Sequence, residues 1–190
     1  GITISFLEDV WTRNFMNLFA SPLTVGEYVW GLVLTSVVTS LVSISFMVVL
    51  AWLLFAYNIF QFGFMLIPFV AVLFLFGWAA GIFATSVIIR FGPSSEILAW
   101  SIPVLLTPFS GVFYPIVVLP KYAYAVASIL PSAQVFEGMR SIVLSGSFDT
   151  TRLSAAFVLA FISFVLSFWF LLRSYRRALR NGSFTRFLTE

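Results

Sequence analysis

Residues 28–89 read YVWGLVLTSVVTSLVSISFMVVLAWLLFAYNIFQFGFMLIPFVAVLFLFGWAAGIFATSVII, 62 consecutive positions between Glu27 and Arg90 without one Asp, Glu, Lys or Arg. A helix needs about 20 apolar residues to cross a hydrocarbon core about 30 Å thick, so this stretch has room for two crossings. Soluble domains are about 25% charged, whereas this chain of 190 residues is 9% charged and 61% hydrophobic. A soluble fold cannot hide that much apolar surface at this size. The chain reads as an all-α, polytopic membrane helix bundle.

Working outward from the uncharged run, four spans are expected, over residues 28–57, 62–89, 97–114 and 153–172. The first has a marked start: Thr24 with Glu27 three residues later is a capping-box pattern ahead of the apolar run. With four spans, residues 1–27, the loop from Arg90 to Glu96 and the tail 173–190 share one side of the membrane. That side carries Arg13, Arg90, Arg173, Arg176, Arg177, Arg180 and Arg186, against Lys121, Arg140 and Arg152 on the other. Basic residues concentrate on the cytoplasmic side, most strongly next to a span end. The first side is therefore expected to be cytoplasmic, in a multi-pass protein of the cell membrane, the inner membrane where there are two.

Residues 115–152 stay apolar but are broken by Pro115, Pro120, Pro131 and Gly146. The breaks leave two short helical pieces, about Lys121 to Leu130 and Ala133 to Leu144. In the second, Val135, Phe136, Met139, Ile142 and Val143 recur at helical spacing while Gln134, Glu137 and Ser141 fall on another side. Neither piece is long enough to cross, and an external re-entrant hairpin is expected, its backbone satisfied by protein or by a water-filled cavity.

The residue inventory narrows the chemistry. There is no Cys and no His, which removes thiolate and imidazole catalysis and the usual zinc ligands. No charged residue lies in the four expected spans, so a membrane-embedded enzyme would have to use Ser, Thr or Tyr without an evident base. The basic charge belongs to a tail, and most of the 24 Phe lie in uncharged segments, which points to lipid and packing rather than to stacked bases, so no nucleic-acid partner is expected. No glycine-rich phosphate-binding loop occurs; no cofactor is expected on the chain itself.

Two segments carry a resemblance to a known family. Ser110, Gly111, Val112, Phe113, Tyr114 and Pro115, followed by Leu119, Pro120, Leu130, Pro131 and then Val135, Phe136, Glu137, Gly138, Met139, Arg140, resemble the end of type-2 ATP-binding-cassette permeases. There a penultimate span ends at a small-residue and Pro break, and the second of two short external helices holds a Glu and an Arg three apart. Asn17 to Leu23, with Glu27 and Tyr28, is similar to that family's cytoplasmic coupling helix and its exit into the third span. The resemblance implies a single permease domain lacking the amphipathic first helix, the first span and most of the second, and the chain's start at Gly1 reads as a truncation. It also implies an exporter subunit that forms its pathway with a second copy, with ATP bound and hydrolysed on separate ATPase subunits.

On that resemblance Phe15, Leu18 and Phe19, flanked by Arg13 and Asn14, form the ATPase-docking face of a coupling segment within residues 9–27; taken alone, the same residues read as a helix lying on lipid. Glu137 and Arg140, one turn apart, read as an anchor at the membrane interface or as an external gate. Ser36, Ser40 and Ser43 form a hydroxyl face, with Thr35 and Thr39 beside it, that packs against a helix or lines the pathway. Gly77 and Gly81, continued by Ala84 and Thr85, read as a helix contact. A passive channel or a non-transport membrane scaffold is the alternative function.

Overall fold

The structure, a computed structural model, describes residues 2–12, 22–56 and 64–180. Its elements in chain order are α1 (Ile2–Trp11), α2 (Val25–Phe55), α3 (Ile67–Phe91), α4 (Glu96–Leu106), α5 (Lys121–Ile129), α6 (Pro131–Ser145) and α7 (Thr150–Arg180), with short 3-10 turns at Pro93–Ser95, Thr107–Phe109 and Ile116–Val118. The described residues contain no strand, so the all-α expectation holds. Three helical segments are long and apolar enough to cross a membrane: Val25–Phe55, Phe64–Phe91 and Thr150–Ala178.

The third expected span differs. In place of a helix over 97–114 there is α4, 11 residues with Pro103 inside it, continued only by the turn to Phe109. Eleven residues rise about 16 Å, roughly half a hydrocarbon core. Pro108 opens the turn, and Gly111 at φ +73° redirects the chain. Apolar composition continues past both residues, which is why hydropathy alone overran the helix. At the other end α7 continues to Arg180, so the basic tail begins as a continuation of the last long helix rather than as a separate segment.

The start of α2 forms as the pattern dictates. The Thr24 backbone N–H donates to Glu27 Oε2 at 2.8 Å, and the Glu27 N–H donates back to Thr24 Oγ1 at 3.3 Å. Two of the donors that a helix start leaves without partners are thereby satisfied.

The chain divides into two compact units. The first comprises Gly1–Ser45, Trp78–Ile102 and Leu166–Glu190. Within it α1 buries Ile2, Phe6 and Leu7. Phe6 meets Tyr28 edge-on at 6.5 Å, and the Tyr28 hydroxyl donates to Asp9 Oδ2 at 2.8 Å. Trp11 Nε1 donates to Glu96 Oε2 at 3.2 Å. α1 lies so close to α3 that a Cβ on Gly81 would stand 2.9 Å from Ile2 Cβ.

The second unit comprises Phe46–Gly77 and Pro103–Val165. Its core joins Phe69 and Val72 of α3, Val135 and Ile142 of α6, and Ala156 and Ala160 of α7. A smaller cluster holds Ile116, Ala127 and Ala133, with Phe109, Leu119 and Leu130 against it. α6 is thus gripped by two sets of neighbours, which is how so short a helix is held. Its closest fit is at Gly138, where any Cβ would overlap the fully buried Phe69 ring.

Overpacking of a filled core destabilises by about 1–3 kcal/mol, more than the helix propensity gained on replacing Gly by Ala, about 1 kcal/mol. Gly138→Ala is therefore expected to lower the melting temperature of the purified protein. Gly77→Ala, whose new Cβ meets nothing within 4 Å, should leave it unchanged or raise it. Equal melting temperatures for Gly138→Ala and the parent would contradict the packing at Phe69.

Candidate functional site

The turn between α4 and α5 is where the apolar chain leaves helical geometry, so its backbone groups need other partners. Some are local: Ser110 Oγ donates to Thr107 O at 2.7 Å and the Tyr114 hydroxyl to Pro108 O at 2.7 Å. Gly111 sits in the left-handed region, where a side chain is strained, and a Cβ there would also press on Ile116 Cγ2 at 3.1 Å. Its carbonyl accepts from Arg140 Nη2 of α6 at 2.8 Å. Five residues on, the Ile116 N–H donates to Glu137 Oε1 at 3.0 Å. Arg140 Nη1 and Glu137 Oε1 pair directly.

These contacts make one linked chain, from the Gly111 carbonyl through Arg140 and Glu137 to the Ile116 amide. The side chains are only 24% (Arg140) and 14% (Glu137) exposed, so the charges are largely desolvated and depend on one another. The arrangement is a tie: the segment following α4 cannot move from α6 without breaking charge-assisted bonds, each about 1.5–3 kcal/mol.

A second polar chain, legible only in part from the sequence, ties the other end of the hairpin. Asp149 precedes α7 and accepts from the Arg152 backbone N–H at 3.0 Å, while its other carboxylate oxygen lies 3.2 Å from Arg152 Nε. Arg152 Nη1 then donates to Gln134 Oε1 at 3.3 Å, and Gln134 Nε2 donates to Ser128 O at 2.9 Å. The start of α7, the start of α6 and the end of α5 are thereby joined. The spacing of Asp149 and Arg152 announces their local pair; nothing local announces Gln134 as the link.

The remaining sites fall as follows. Arg13, Asn14, Phe15, Leu18 and Phe19 lie outside the described residues. Ser36 is buried, Ser40 half-buried and Ser43 exposed, with Ser43 Oγ donating to Thr39 O at 2.9 Å. Thr35 and Thr39 likewise donate to Gly31 O and Thr35 O of their own helix, at 3.0 and 2.9 Å. Gly81 faces α1, whereas Gly77 faces open space within this chain.

Because Glu137 and Arg140 each serve a backbone partner as well as each other, their loss has an asymmetric signature. Glu137→Ala and Arg140→Ala are each expected to destabilise by about 2–3 kcal/mol, between the exposed and buried limits for ion pairs. The charge-swapped double variant restores the pair but not the links, since a carboxylate at 140 cannot donate to Gly111 O and a guanidinium at 137 cannot accept from Ile116. Thermal melting of the three variants checks this, and full rescue by the swap would show that the backbone links contribute nothing.

The model of the family described as ABC-2 type transporter matches residues 2–144. Comparison with curated proteins found no match, and comparison with solved structures found none. The matched range runs from α1 to the end of the hairpin and takes in both the uncharged run and the linked pair, about three quarters of the chain. Together with three helices fit to span lipid, it establishes that the chain belongs to the ABC-2 type transporter family, as a multi-pass membrane component of an ABC transporter.

Proposed function

We propose that this chain is the membrane subunit of an ATP-driven exporter in the cytoplasmic membrane. It forms the translocation pathway with a second copy and is driven by separate ATPase subunits. The observation that carries the reading is the family match over residues 2–144, because it covers both the segment expected to meet an ATPase and the hairpin expected on the far side. In this reading ATP is hydrolysed outside these 190 residues, and Phe15, Leu18 and Phe19 transmit the stroke. α4 and its turn complete a fourth membrane segment, and α5 with α6 form an external re-entrant hairpin. The Glu137–Arg140 link then makes the hairpin follow the segment after α4 as one body during opening and closing, which is the behaviour a lip over the pathway needs.

Asp at positions 15, 18 and 19 is expected to abolish co-purification of the ATPase and to remove transport, while membrane insertion and yield stay normal. Unchanged binding would assign the segment to the lipid surface. A parent protein with no associated ATPase would favour the channel or scaffold reading.

Orientation is tested separately, and cleanly, since there is no native Cys. A Cys at position 147 should be labelled by a membrane-impermeant maleimide from outside intact cells, and one at position 183 should not. The reverse pattern would invert the topology.

A further inference from the structure

The last long helix changes character abruptly. Residues 153–172 contain no charged side chain, and the next eight positions hold Arg173, Arg176, Arg177 and Arg180. At about 100° per residue these four, with Trp169 one turn earlier, fall within an arc of about 100° on α7. All four arginines are exposed. The opposite face is the packed one, where Leu171, Ser174 and Ala178 are buried. The five side chains line one open groove, and the Arg173 guanidinium lies over the Trp169 ring at 5.3 Å.

Four like charges at helical spacing repel one another, and nothing in the described chain offsets them. α7 contains no acidic residue. The ion pairs among the described residues are Arg140 with Glu137 and Arg152 with Asp149. The stripe begins where the apolar run ends, next to a Trp of the kind that sits at the lipid–water boundary. Arg90 marks the same level from α3, with its guanidinium 5.5 Å from the Phe170 ring centre. The anion that a membrane offers in quantity at that depth is the lipid phosphate, and guanidinium groups bind phosphate through paired hydrogen bonds.

We propose that the α7 stripe of Trp169, Arg173, Arg176, Arg177 and Arg180 is a binding site for the phosphate head groups of anionic phospholipids in the leaflet at that end of the protein. The site rests on this face alone and does not depend on transport, on ATPase coupling or on which leaflet is involved. It gives the protein a lipid requirement: anionic lipid neutralises the stripe and fixes how deep α7 sits.

The full chain is reconstituted into phosphatidylcholine vesicles containing a small fraction of either brominated phosphatidylglycerol or brominated phosphatidylcholine. Quenching at Trp169 is read as the difference between the parent and Trp169→Phe. Phosphatidylglycerol is expected to quench Trp169 at much lower mole fraction, with the preference shrinking as salt is raised and falling about fivefold for each arginine replaced by Gln. The quadruple variant Arg173→Gln, Arg176→Gln, Arg177→Gln, Arg180→Gln should show none. The matching quadruple Lys variant, which keeps charge without the fork, should retain part of it and reports that loss is not misfolding. Equal quenching by the two lipids in the parent, or a preference unchanged in the quadruple Gln variant, overturns the proposal, and the stripe would then face an acidic protein surface.

Discussion

The hydrogen bonds that Arg140 and Glu137 make to the backbone at Gly111 and Ile116 answer the constraint that governs this chain. In so apolar a molecule the main chain is the largest polar object, and it is satisfied without help only while it stays helical. Between Leu106 and Lys121 it keeps only two short 3-10 turns. Prolines at 108, 115 and 120 remove donors, and Gly111 reverses the backbone. A charged donor and a charged acceptor carried on the next helix but one make good the loss. Without them the hairpin would retain its small apolar cluster around Ile116, Ala127 and Ala133 but would have two peptide groups adrift.

The placement of α6 follows from that need. A helix of 15 residues cannot span lipid, yet this one is buried along one side through Val135, Gly138 and Ile142, and on another at Ala133 against Ile116 and Ala127. Phe69 fills the notch left by Gly138, and Ala156 and Ala160 let α7 approach. Small residues where helices meet substitute close dispersion contact for the hydrophobic drive that lipid does not supply. The polar side of the same helix carries Gln134, Glu137 and Arg140, and all three are used. α6 is therefore apolar where it meets α3 and α7, and where it meets the irregular chain it combines ionic links with the apolar contact at Ala133.

What could be read from the sequence was what is decided within a few residues. The Thr24–Glu27 box formed because both partners lie in one turn. The short helices formed close to the expected bounds because Pro120, Pro131 and Gly146 act on their own neighbours; Gly146, at φ +66°, ends α6 with its N–H on Ile142 O. The end of α4 was overrun because apolar residues continue through it and the signal to turn is conformational. The links to Gly111 and Ile116 span 29 and 21 residues, so the Glu and Arg announced a pair but not what the pair holds. The hydroxyl face of α2 is equally uninformative from spacing alone, since Thr35, Thr39 and Ser43 spend their protons on their own helix.

α2 has buried residues at Val29, Leu32, Val33 and Ser36 and none further along. In the order of synthesis that matters. Beyond Ser36 no residue of the helix is buried within the chain and its backbone hydrogen bonds are internal, so this half can settle in the bilayer while the rest is still being made. α6 has no such independence. Its core closes only when Ala156 and Ala160 have been added; until then its apolar face has Phe69 and Val72 of α3 alone, while the links of Glu137 and Arg140 to Ile116 and Gly111 already have their partners. The nascent chain thus passes through an interval in which α6 is tied to the turn before α5 and to α3 but is open on the side that Ala156 and Ala160 will close, and the length of that interval is set by how soon α7 follows.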